Sequence, residues 1–339
     1  MYKIFLHYFS KLDKPFCKNL NFVVSAMMRC CSSNTAIIAS EMAKDTKASF
    51  KSNDMRLFRF LQSPIFQIDD LLWRCYLKIL FSLIRERNLF KKGDKIFINV
   101  DHTTMKDYFL IMTASISVNG RAVPLYFTLR NYPKKKGMLD QKKMERAFVK
   151  GLRHILSKKY NYCIVADRGF GNNRFTALCK EYSFNYIIRL KSDLNISYNN
   201  KVKKLENYRR SKDLKLATIK AWNREERIAI HRKDKALWWI VTDLYDLPLK
   251  QVIKHYENRF KIEKCFQDQK SSGFYIEDTK IRKYDRFKRL LFCVSLAQLF
   301  IVFLGDIISN KKHYLKKKFP LHIEMILAYS RLDEEHCAL

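Results

Sequence analysis

Two runs of apolar residues, IFINVD and YCIVAD, each close on an aspartate, Asp101 and Asp167. A strand that is apolar on both sides must be covered on both faces. Such strands belong to sheets whose parallel neighbours are joined by crossover helices. Ligand sites in those sheets lie beyond the carboxyl ends of the strands. An acid at that place is notable in a chain with 33 acidic residues against 66 basic ones. An aspartate after a strand also serves as a turn former or a helix cap, so the pair gains meaning only with a third group.

The rest of the chain supplies the frame. Residues 1–90 read as helical, with apolar residues at 3–4 spacing in TAIIASEMA and DMRLFRFLQSPIF. Ser32, Ser33 and Asn34 offer a cap before the first of these. The polar segment KDTKASFKSND joins the two, which suggests a helix-turn-helix-like pair. A third helix is expected over IDDLLWRCYLKILFSLIRERNLF. After Ile96, YFLIMTASISVNG and RAVPLYFTLR flank Asn119 and Gly120, a tight-hairpin signal. LDQKKMERAFVKGLRHILSK reads as an amphipathic helix, FGNNRFTALCKEYS as another, and YIIRLKS as a further strand. The expected class is α/β, a mixed sheet led by a hairpin and continued by parallel strands. DLKLATIKAW, ERIAIHR and ALWWIVTDL predict three antiparallel strands, a small β insertion over 193–247. The apolar run from Leu290 to Gly305 is shorter than the usual span of about 20 residues and holds Gln298, so a buried core helix is expected and no membrane partner.

The third group comes from YENRFKIEKCFQDQK. On one helix over about 249–271, at ~100° per residue, Tyr256, Arg259, Glu263 and Lys270 return to one stripe. Leu249, Val252, Ile253 and Phe260 fall on that side, which should therefore face the protein. Lys254, Glu257, Lys261, Lys264 and Asp268 fall opposite, on the expected solvated face. A carboxylate on a packed face needs a cation, either a side chain or a metal. Arg259 and Glu263, four apart, also make a simple helical ion pair.

A formal net charge of +33 selects a polyanion as partner, and nucleic acid is the default. With 47% hydrophobic and 14% aromatic residues the chain has enough for an enzyme-sized core. Nine cysteines without C-x-x-C spacing predict reduced thiols, neither disulfides nor zinc ligands, in a cytoplasmic setting. His102 beside Asp101 lacks further ligands at zinc spacing. No G-x-S-x-G elbow occurs, and Gly169 and Gly171 in DRGFG read as a turn, not a phosphate loop. If Asp101, Asp167 and Glu263 converge, three hard oxygen donors beside a phosphate substrate suit two Mg²⁺ ions, with Mn²⁺ as a substitute. Arg168 and Arg189 are further DNA-contact candidates.

VDHTTM at Asp101, VADRGFG at Asp167 and Y-x2-R-x3-E-x6-K from Tyr256 to Lys270 together resemble the insertion-sequence DDE transposases, in the bacterial branch with the Y-R-E-K signature. The resemblance spans roughly 50–305. It implies a ribonuclease-H-like core in two parts, 91–192 and 248–305, around the insertion, an N-terminal helical DNA-binding domain at 1–90 and a short tail at 306–339. It implies Asp101, Asp167 and Glu263 as catalytic metal ligands, with Tyr256, Arg259 and Lys270 on phosphates. It also implies an insertion aromatic stacked on a flipped base; Trp238 matches that place, with Trp239 on the opposite strand face. The activity implied is Mg²⁺-dependent cut-and-paste of terminal inverted repeats into target DNA through a hairpin. A homodimer on double-stranded DNA, nucleoid-associated in a prokaryote, would carry it out. A structure-selective nuclease on the same core and a non-cutting DNA-binding derivative are the alternatives.

Overall fold

The computed structural model describes residues 1–90, 93–118, 120–132, 141–233 and 236–310, with backbone alone for 306–310. Five helices come first: α1 (Tyr2–Tyr8), α2 (Lys14–Cys30), α3 (Thr35–Thr46), α4 (Phe50–Gln62) and α5 (Asp70–Glu86). Short polar side chains start four of them. Asp13, Asn34, Ser49 and Asp69 accept from Phe16, Ala36, Ser52 and Leu72 N–H, which satisfies donors that the helix leaves open.

The sheet follows. Strands β1 (Lys95–Met105), β2 (Phe109–Val118) and β3 (Arg121–Asn131) form an antiparallel meander. Gly120, at φ 88°, takes a turn conformation closed to side chains with a Cβ; Asn119 lies outside the described residues. Helix α6 (Gln141–Ile155) crosses to β4 (Asn161–Ala166), and α7 (Asn173–Glu181) to β5 (Asn185–Arg189). β1, β4 and β5 are parallel neighbours. The order β3-β2-β1-β4-β5 is a ribonuclease-H-like mixed core.

The stretch expected as a three-stranded insertion holds five strands: β6 (Asn195–Tyr198), β7 (Lys201–Lys204), β8 (Lys212–Ile219), β9 (Arg224–Lys233) and β10 (Ala236–Thr242). They extend the core sheet. β10 pairs antiparallel with β5, and β9, β8, β6 and β7 follow outward to make ten strands. β6 and β7 are four residues each, too short to show a period. Four consecutive exposed residues, three of them lysine, make β7 a charged outer edge.

Helices α8 (Leu249–Asn258), α9 (Lys261–Lys270) and α10 (Tyr284–Asn310) complete the chain. Side chains alternate across the strands. Cys163, Val165, Ile187 and Ile240 face Val252, Ile253 and Tyr256 of α8. Ile164, Ala166 and Ile188 face the larger core, which runs from Phe5 to Phe303 and takes in α1–α5 and α10. Helix α10 is long and apolar enough to cross a membrane, but that stretch is mostly packed inside the protein. Most of the 306–339 segment lies outside the described residues.

Candidate active site

Asp101 is not the last residue of its strand. β1 continues to Met105 along β2, while its pairing with β4 stops at Val100 and Ala166. Asp101 and Asp167 are therefore the next residues on two adjacent parallel strands, which run about 4.8 Å apart. A 3-10 turn, Arg168–Phe170, follows Asp167, whose carboxylate accepts the Gly169 N–H at 2.9 Å. The turn is docked hard on β5: a Cβ on Gly171 would sit 2.2 Å from the Arg189 carbonyl oxygen. Only glycine allows that approach.

The expected single helix over 249–271 breaks at Arg259 and Phe260, between α8 and α9. The break re-aims the stripe. Tyr256 and Arg259 are buried, as expected from the packed face. Phe260, expected on that face, is 40% exposed. Asp268, expected in solvent, is buried and lies 3.3 Å from Arg121. A uniform ~100° step holds only for an unbroken helix, so the angles past Phe260 shift.

Arg259 is the centre of the arrangement. It donates to Asp101 Oδ2 at 3.0 Å through Nη1 and to Glu263 Oε1 at 2.8 Å through Nη2. Burial works against the guanidinium's charge, but Tyr256, Asp101 and Glu263 hold its pKa above the ordinary value. Burial raises the Asp101 carboxyl, and the charge of Asp167 adds to that. The His102 N–H, at 2.8 Å, and Arg259 pull the other way. That Asp101 feels Asp167 agrees with their adjacent strand positions.

Beside this lies an aromatic cluster. Trp238 packs at 5.3 Å from Tyr256 and 5.9 Å from Phe260, and the Arg259 guanidinium lies 4.6 Å over the Phe260 ring. Burial raises the Tyr256 hydroxyl pKa against the pull of Arg259 and Arg189, which places Arg189 at this cluster too. Trp238 is on the α8 side of the sheet, and Trp239 packs against the larger core opposite. Arg168 is exposed on its turn. Lys270 is not brought in: it lies 3.5 Å from Glu277, about 10 Å along α9 from Glu263.

Two participants escaped the sequence reading. Phe260 is one. Asn99 is the other: it is buried in β1 and donates to Ser117 at 3.2 Å and to the Asn258 carbonyl at 3.4 Å, which ties β1 to the end of α8. An asparagine inside the apolar run IFINVD was the available signal.

Three carboxylates are hard oxygen donors of the kind Mg²⁺ and Mn²⁺ take. Among the described residues, however, no three His, Cys, Asp or Glu side chains stand close enough to hold a metal ion. Arg259 lies between Asp101 and Glu263. The donor chemistry is of the kind a divalent ion takes, but as arranged the guanidinium, not an ion, holds Asp101 and Glu263.

Residues 139–300 match the family model described as the transposase DDE domain. The match supports a DDE transposase acting on DNA. It takes in Asp167 and Glu263 and begins after Asp101. No curated protein matches the chain. Among solved structures, endonuclease V from Bacillus subtilis shows 8% identity over 55% of this chain and 81% of that one, with a TM-score of 0.27, too low to bear on fold or function.

Proposed function

We propose that this DDE domain cuts the ends of its own insertion sequence and joins them to target DNA, with Asp101, Asp167 and Glu263 as its catalytic carboxylates. The observation that carries the proposal is Arg259. One guanidinium joins Asp101 to Glu263, 162 positions further along the chain, beside the strand that Asp167 directly follows. A structural ion pair would need only one acid.

In this reading the three carboxylates hold two Mg²⁺ or Mn²⁺ ions, which when bound activate an attacking oxygen and stabilise a leaving one. Arg259, released from Glu263, turns its fork to a DNA phosphate, for which a guanidinium is well shaped. The Tyr256 hydroxyl and Arg189 stand beside it as further donors, and Arg168 and Lys270 reach phosphates farther out. The exposed Phe260 supplies a ring face for an unstacked base, as a hairpin at the cut end requires, while Trp238, expected for that role, is buried behind it and serves as its backing. Two copies on two inverted repeats complete the complex.

The test is cleavage of a plasmid carrying the element's ends, in Mg²⁺ or Mn²⁺. Asp101→Asn, Asp167→Asn and Glu263→Gln each reduce nicking to background and leave duplex binding in place. Full nicking by any of the three variants removes that residue from the set. Strand-transfer products from the wild type separate a transposase from a nuclease.

A further inference from the structure

The guanidinium of Arg259 stands where two of the proposed metal ligands have to meet. Side chains alternate along a strand. Phe97 in β1, and Cys163 and Val165 in β4, pack toward α8. Asp101 and Asp167 follow at the same parity in extended backbone, so both carboxylates lie on the α8 side. Arg259 comes in from the break between α8 and α9. Its Nη1 holds Asp101 at 3.0 Å and its Nη2 holds Glu263 at 2.8 Å. An ion shared by those two acids needs the same space, so guanidinium and ion exclude each other there.

The two arms of this bridge differ in strength. The Arg259 and Asp101 side chains are 5% and 15% exposed, whereas that of Glu263 is 55% exposed. An ion pair with a half-exposed partner gains little over water. Breaking a buried pair leaves a charge uncompensated. Asn99, through its bond to the Asn258 carbonyl, also ties the backbone next to Arg259 to β1. Glu263 is therefore the arm that yields.

The guanidinium is also incompletely satisfied. Its Nε–H is buried and finds no acceptor among the described residues. A buried donor left unpaired is costly. Nε and Nη2 form one edge of the planar fork, and such an edge takes two oxygens of a carboxylate or phosphate in parallel. Glu263 reaches Nη2 and not Nε, so the edge is half used. A phosphate with two oxygens on this edge satisfies Nε and displaces Glu263 from Nη2.

We propose that Arg259 is a latch worked by a DNA phosphate. In the chain without DNA it keeps Asp101 and Glu263 from a common ion. A phosphate on the Nε–Nη2 edge frees Glu263, and divalent metal then binds. Metal and DNA are thereby coupled, each raising the affinity of the other by the same factor. The inference rests on the three carboxylates being the metal ligands proposed above.

The test follows Mn²⁺ binding to the full chain through the electron paramagnetic resonance of the free ion. It is run with and without a precut duplex of the element's end, so that no cleavage intervenes. With the duplex, wild type should bind Mn²⁺ at least about tenfold more tightly, a usual size for coupling between sites. It should bind the duplex more tightly in Mn²⁺ than in EDTA by the same factor. Without DNA, Arg259→Met and Arg259→Lys should each bind Mn²⁺ at least about fivefold more tightly than wild type, and the gain that the duplex adds should shrink. Lysine keeps the positive charge but has no fork to hold two acids at once, so it separates a latch from simple charge repulsion. Adding Glu263→Gln to Arg259→Lys should abolish the gain, which assigns it to this site. Thermal melts verify that the variants fold. A wild type indifferent to the duplex, or a folded Arg259→Lys that binds Mn²⁺ no better than wild type, overturns the latch. If Asp101→Asn and Glu263→Gln still weaken Mn²⁺ binding and cleavage, the catalytic proposal stands without it. If they change neither, both fall.

Discussion

Arg227 shows how one side chain fixes the frame behind the site. It is buried, and its guanidinium spans the Asp213 carboxylate at 2.9 and 2.5 Å and the carbonyls of Leu244, Tyr245 and Leu247 at 2.6, 3.1 and 2.6 Å. Those carbonyls belong to the segment that leads from β10 into α8, the helix that carries Tyr256. Removing one partner of a buried ion pair leaves the other uncompensated and costs about 3–5 kcal/mol. Arg227→Met should therefore lower the denaturation free energy by about that much, read from urea melts at unchanged slope. A loss below about 1 kcal/mol would show that the segment is held by its apolar contacts alone. Nothing in ERIAIHR marks this arginine as buried. Its partners are backbone carbonyls that a residue pattern does not display.

At the scale of elements, α8 lies on β1 through His255, whose ring stacks on Phe97 at 3.4 Å between centroids. Burial, and then the charge of Lys254, lowers its pKa from 6.5 to about 4. A depressed imidazole stays neutral in the folded chain while the unfolded chain takes up a proton. Its contribution to stability is complete above pH 6.5 and declines as the pH falls toward 4. The melting temperature of the wild type should fall through this window more steeply than that of His255→Phe, which keeps the stack without the proton. Parallel curves would exclude His255 as the source. Elements with strong periods were legible in the sequence: α3, α5 and β4 lie where spacing and apolar runs placed them, while α4 starts inside the segment read as a polar turn and ends before Ser63, and β1 runs on past Asp101 to Met105. The break between α8 and α9 was not legible. Arg259 and Phe260 are ordinary helix residues, and the interruption comes from tertiary contacts such as the Asn99–Asn258 bond. Propensity yields to such contacts. The candidate site was legible as far as Asp101, Asp167, Arg259 and Glu263, and obscure at Phe260 for the same reason.

At the scale of the whole molecule, the ten strands form one sheet, so residues 193–247 are not an appendage to it. Strand β5 is interior only because β10 pairs with it. Excising 193–247 and closing the gap with a short linker should leave β5 an open apolar edge, and such edges recruit other chains. The expected result is insoluble protein. A soluble product with a cooperative melt would establish the segment as separable. The strand alternation in the sequence announced β8–β10 but not their continuity with β5, because pairing across 51 positions, from Arg189 to Ile240, leaves no local mark.

The first and last parts of the chain also close on each other. Ser33 donates its N–H to the Phe274 carbonyl at 2.7 Å, and Arg289 donates to the carbonyls of Phe66 and Leu61 at 2.6 and 2.9 Å. The helices that precede the sheet thus wait for α10 to cover their apolar sides. Until residue 289 has been made, those helices keep apolar surface open to other chains, so the order of synthesis itself sets a window for misassembly.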